Sequence, residues 1–135
     1  MTEAHAFLHV CITCRADAET AENQDLPGSV LHRRLEGLLA DRPGLPVRVL
    51  PARCLSNCQH GCAAAIAMDG KWSYLLGGLD LDRASDLLEF AGIYAASKTG
   101  VVMPSKRPAS LAAMVDGRIP ALPASPMPIL ETSQP

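Results

Sequence analysis

The cysteines of this chain fall in two tight groups and nowhere else. Cys11-Ile12-Thr13-Cys14 lies near the start, and Cys54-Leu55-Ser56-Asn57-Cys58, followed by Cys62, lies in the middle. Core packing explains such spacing poorly, because a buried Cys behaves as a small apolar residue and needs no partner at a fixed interval. Thiolate ligation explains it directly, since four thiolates are the usual demand of a [2Fe–2S] cluster or a structural zinc. A fold that uses both groups must bring two distant loops together.

The pattern of the remaining residues supplies such a fold. Phe7 to Val10 reads as a strand running into the first Cys pair. Residues 15 to 28 are polar and end in Pro27-Gly28, a loop. Ser29 is an expected N-cap, and Leu31, Leu35, Leu38 and Leu39 follow at helical spacing. Asp41-Arg42-Pro43-Gly44 stops this helix. Val47 to Leu50 is a strand, and Pro51 to Gly61 a loop carrying Cys54 and Cys58. Ala63 to Met68 and Lys71 to Leu76 read as strands joined at Asp69-Gly70, a hairpin signal because Gly tolerates positive φ. Gly77-Gly78 reads as a turn. Asp80 can cap a second helix, whose buried stripe is Ala84, Leu87, Leu88 and Ala91.

The order β-α-β, Cys loop, β-hairpin, α predicts an α/β fold: a thioredoxin-like βαβ unit plus a β-hairpin and a C-terminal helix on a small mixed sheet. Cys11 and Cys14 then follow the first strand, and Cys54 and Cys58 follow the second. In a parallel unit those two ends share one sheet edge. Residues 1–100 are expected to form this domain. Residues 101–135 hold seven of the eleven prolines, so they read as a Pro-rich C-terminal extension, partly extended or disordered, with a helical turn at Leu111 to Val115.

Charge and composition exclude several classes. A formal net charge of −2 with dispersed basic residues gives no electrostatic case for nucleic-acid binding. The first residues lack a basic and then apolar signal pattern, and the longest apolar run, Cys62 to Met68, is too short for a membrane span. The expected compartment is the cytoplasm, where thiols stay reduced and clustered Cys serve metals or redox chemistry. The odd number of cysteines argues against a fully paired disulfide framework. No nucleophile–base arrangement, carboxylate pair or phosphate loop is evident, so the chain does not read as an enzyme.

Arg53-Cys-Leu-Ser-Asn-Cys-Gln-His-Gly61, a small-residue strand, Asp-Gly and Trp72-Ser-Tyr together resemble the thioredoxin-like [2Fe–2S] ferredoxins and the related subunit of bacterial respiratory NADH dehydrogenase. The resemblance implies that Cys54 and Cys58 are the second ligand pair and Cys11 and Cys14 the first. It further implies a one-electron carrier between a reductase and an acceptor enzyme, and a homodimer. Over roughly residues 7 to 120, including Lys106-Arg107-Pro108 and Arg118-Ile-Pro120, the chain also resembles a bacterial family of predicted metal-binding proteins. Members of that family accompany cobalamin-biosynthesis genes, which points to an acceptor in cobalamin assembly.

Other readings of the same residues stay open. A zinc- or cobalt-handling protein would use the same cysteines with Cys62 or His60. A thiol oxidoreductase would use Cys11 and Cys14 alone. Cys62 is a spare ligand, an alternative to Cys14, or a small buried hydrophobe. Backbone N–H groups of Asn57 to Gly61 are expected to point toward sulfur, and Arg15, Arg53 and Lys71 to add positive potential nearby.

Overall fold

The computed structural model describes residues 5–13 and 26–122. Strand β1, Ala6–Cys11, alternates as expected: Leu8 and Val10 are buried while Phe7 is exposed. Helix α1, Pro27–Ala40, begins two residues before the expected cap at Ser29. Leu26 stands at the N-cap and Pro27 at the first helical position. Proline suits that position because its missing N–H would have no helical acceptor there and its φ is already set. Asp41 closes the helix where the sequence predicts a stop.

Strand β2, Val47–Ala52, lies parallel to β1, with Ala6 opposite Val47 and Cys11 opposite Ala52. Strands β3, Ala64–Ala67, and β4, Ser73–Leu76, form the antiparallel hairpin. Its turn closes with Lys71 N–H donating to Met68 O at 3.0 Å, and Gly70 takes φ +76 as the Asp69-Gly70 signal requires. Asp80 caps a short 3-10 turn, Leu81–Arg83, that leads into helix α2, Ala84–Ala96. Both helices pack on β1 and β2 and on each other. Among the described residues no helix is long and apolar enough to cross a membrane.

The sheet does not end near residue 100. A fifth strand, β5, Val115–Ile119, pairs antiparallel with β4, giving the order β2-β1-β3-β4-β5. The helical turn expected at Leu111 to Val115 is a 3-10 turn at Ala109–Leu111, and Val115 already belongs to the strand. Asp116 and Gly117 are poor strand formers, so local propensity hides β5. Pairing with β4 stabilises it, as does Arg118, whose guanidinium sits 4.6 Å from the centre of the Trp72 ring.

The core lies between the helices and the sheet. Leu8, Val10, Leu31, Leu35, Ile66, Leu76, Leu87, Leu88 and Phe90 are all buried there. Tyr74 makes edge-on contacts with Phe90 and Tyr94, at ring-centre distances of 5.4 and 6.2 Å. Both phenols are satisfied. Tyr74 Oη accepts the Val102 N–H at 3.0 Å, and Tyr94 Oη donates to Trp72 O at 2.5 Å. Burial, reinforced by Tyr74, pushes the Tyr94 phenol up to about 12, so it remains a donor at neutral pH. Through Val102, Tyr74 ties the stretch beyond Gly100 to the sheet. Tyr74→Phe should strand that buried N–H and cost about 1–3 kcal/mol, read as a lowered denaturation midpoint with unchanged secondary structure.

Candidate functional site

The strand directions gather one set of loops at one edge. β1 ends at Cys11 and β2 at Ala52, side by side. β3 starts at that edge with Ala64 opposite Val10, β4 returns to it with Leu76 opposite Ala64, and β5 leaves from it with Val115 opposite Leu76. The Cys54 loop, Gly77-Gly78 and Asp116 therefore share the edge where Cys11 lies.

Cys11 meets the start of the Cys54 loop there. Ile12 N–H donates to Ala52 O at 2.9 Å, and Cys11 N–H to Ala63 O at 3.0 Å. The Cys11 thiol is buried and directed at Arg53 O, 3.7 Å away, with Thr13 Oγ1 at 3.5 Å. The Thr13 hydroxyl donates to the same Arg53 carbonyl. The first loop thus converges on the residue immediately before Cys54. Cys54 itself is exposed. Cys14 and Arg15 lie outside the described residues. Cys58 opens a 3-10 turn, Cys58–His60. Among the described residues, no three His, Cys, Asp or Glu side chains gather as a metal site.

Among the described residues a backbone N–H does face sulfur, from just before the expected stretch. Ser56 N–H donates to Cys54 Sγ at 3.3 Å, and Ser56 takes φ +55, which turns the loop back on itself. The His60 N–H, expected to face sulfur, closes the 3-10 turn on Asn57 O at 2.9 Å. Cys62 is buried at 2% exposure. Its N–H and carbonyl pair with Leu79, and the Gly61–Cys62 peptide is cis. Lys71 is not near this edge. It lies in the β3–β4 turn at the far end of the sheet, where its ammonium donates to Ala95 O at 2.8 Å and burial lowers its pKa.

A polar cluster that the sequence reading missed ties the loop to β5. The Asp116 carboxylate accepts from Asn57 Nδ2 at 2.7 Å and faces His60 Nδ1 at 2.7 and 2.9 Å. Burial alone would raise the Asp116 carboxyl. The hydrogen bonds from Asn57 and His60 and the charge of His60 outweigh that effect and hold it below its ordinary value. Gly78 N–H donates to His60 O at 2.7 Å. Gly77-Gly78, expected to be a plain turn, forms the floor of the cluster. A Cβ at Gly78 would lie 2.6 Å from His60 Nε2, and one at Gly77 would lie 2.5 Å from His60 O. Gly78 also takes φ +69, which side-chain-bearing residues rarely adopt.

This is a thioredoxin-like α/β fold with a cysteine-bearing sheet edge. A thioredoxin-like [2Fe–2S] ferredoxin from Aquifex aeolicus superposes with a TM-score of 0.54 at 13% sequence identity, covering 92% of this chain and 96% of that one. The chain belongs to the family described as protein of unknown function (DUF1636), which it matches over residues 8–121. No curated protein matches the sequence.

Two outcomes follow from the geometry. Gly78→Ala should displace His60 and cost about 1–3 kcal/mol through φ strain and the clash, with the His60 ring resonances shifted in NMR spectra. The folded-state pKa of Asp116 is depressed, so its contribution to stability is present above the carboxylate range and is lost as pH falls through it. Asp116→Asn should flatten that part of the acid limb in a stability-versus-pH series.

Proposed function

We propose that this protein is a one-electron carrier that holds a [2Fe–2S] cluster on Cys11, Cys14, Cys54 and Cys58. The observation that carries the proposal is the convergence of Cys11 and Thr13 on the Arg53 carbonyl, beside a Cys54 sulfur that already accepts a backbone N–H. The donor chemistry fits the group. The Cys11 thiol at the end of β1 and the Cys54 thiol in the loop after β2 stand at one sheet edge, and N–H donation to sulfur offsets the negative charge of a cluster and raises its potential. When bound, the cluster would gain and lose one electron. The chain's own part is to fix the sulfurs, direct N–H dipoles at them and limit water around the buried Cys11.

The likeness of fold to a [2Fe–2S] ferredoxin supports this reading. The partners would be a reductase and an acceptor enzyme, and the carrier would act as a homodimer in the cytoplasm with no catalytic step of its own. The acceptor in cobalamin assembly rests on the sequence resemblance described above.

A second reading, a zinc- or cobalt-handling protein, draws on the His60–Asp116 pair. A carboxylate on one imidazole nitrogen commonly orients a metal-bound His.

Visible absorption and EPR of protein purified without oxygen, with iron, sulfide, zinc and cobalt assayed on the same sample, separate the two. The carrier should be red-brown, contain iron and sulfide in equal amounts, and give a rhombic signal on one-electron reduction. Cys54→Ser should strip or shift the chromophore, and Cys62→Ser should keep it. A native spectrum in Cys54→Ser would sink the ligand assignment. A colourless sample that stays so on anaerobic reconstitution and binds zinc or cobalt would favour metal handling.

A further inference from the structure

The Cys54–Cys58 loop has little apolar anchorage of its own. Leu55 is partly buried against the core, while Cys54 and Ser56 are exposed. Its polar anchorage converges on one side chain. Asn57 precedes Cys58 and His60 follows it by two residues, and both are held by the same Asp116 carboxylate. That carboxylate is 24% exposed and His60 43%, so the pair is partly shielded from solvent. The Gly78 N–H bond to His60 O fixes the same turn from the end of β4. The Gly77-Gly78 floor leaves no room for side chains, which the close approach of His60 and Asp116 demands.

We infer that Asp116 is the positioning residue of the Cys54–Cys58 loop, holding Asn57 and His60 so that the loop backbone and the Cys54 sulfur keep a fixed presentation. The role rests on the cluster-carrier reading above. It makes β5 part of the site: a strand drawn from the Pro-rich stretch supplies the side chain on which the ligand loop rests. Asp116 would touch neither iron nor sulfide and would act through Asn57 and His60. Removing it frees both side chains at once and leaves the turn to the Gly78 N–H bond on His60 O.

The test compares Asp116→Ala and Asp116→Asn with Arg118→Ala, which lies on the same strand but contacts Trp72 instead of the loop. In the iron-loaded full-length protein, Asp116→Ala should lose its cluster to a chelator ~10-fold faster than wild type and show shifted EPR g-values. Asp116→Asn should be intermediate, because its amide keeps an acceptor for Asn57. Arg118→Ala, which weakens β5 without touching the loop, should change both readouts less than Asp116→Ala. In the iron-free chain, Asp116→Ala should speed amide hydrogen exchange at His60 and Gly78 by ~10-fold and move the His60 ring nitrogens in NMR spectra. Wild-type chelator resistance and g-values in Asp116→Ala would overturn the positioning role. Should wild type take up no iron, the carrier reading falls, and the role is judged on the iron-free chain: unchanged exchange and ring shifts overturn it. If Asp116→Ala does not fold, Asp116→Asn carries the same comparison.

Discussion

Because β1 and β2 run parallel, with Cys11 opposite Ala52, both strands deliver their following loops to the same edge of the sheet. A parallel pair needs a crossover between its strands, and α1 lies on that path. The remaining strands alternate in direction from this start, so the β2–β3 loop, the end of β4 and the start of β5 also reach that edge. Reversal of β2 would send the Cys54 loop to the far end of the sheet, where Lys71 lies. The approach of Cys11 to the Cys54 loop depends on that one pairing.

Around the cysteines the structure uses two kinds of hold. Cys11 and Cys62 are buried, and their backbone N–H groups bond to Ala63 and Leu79 at the margin of the core. Cys54 sits in a loop held by polar contacts: Ser56 N–H to its sulfur, and Asp116 to Asn57 and His60. Exposed ion pairs contribute little alone. Here a shared acceptor, two donors and a glycine floor act together, and their geometry matters more for placing the loop than their strength does for the fold. A sheet edge with one loop held by polar contacts is an arrangement that can present sulfur at fixed positions.

The sequence exposes some of this and hides the rest for physical reasons. α1 and α2 are visible because Leu31, Leu35, Leu87 and Leu88 repeat with the period of a buried helix face. The Asp69-Gly70 turn is visible because positive φ at Gly70 demands glycine. The start of α1 is displaced because Pro27, which resembles a loop residue, is also a good first helical residue. β5 is hidden because Asp116 and Gly117 carry no strand signal and gain their conformation from β4. Asp116 as a partner of His60 is hidden because 56 positions separate them, and no local pattern connects such a pair.

The amino-acid sequence by itself determined which atoms are available for chemistry. Cysteine spacing, alternation and helical period are properties of neighbouring residues, so they can be read directly. The tertiary structure alone decided which of those atoms meet. It put Cys11 against the carbonyl before Cys54, buried Cys62, moved Lys71 away from the site and brought Asp116 to the loop. Those outcomes follow from strand order and register, which are settled by packing of the whole sheet against its helices and not by any segment on its own.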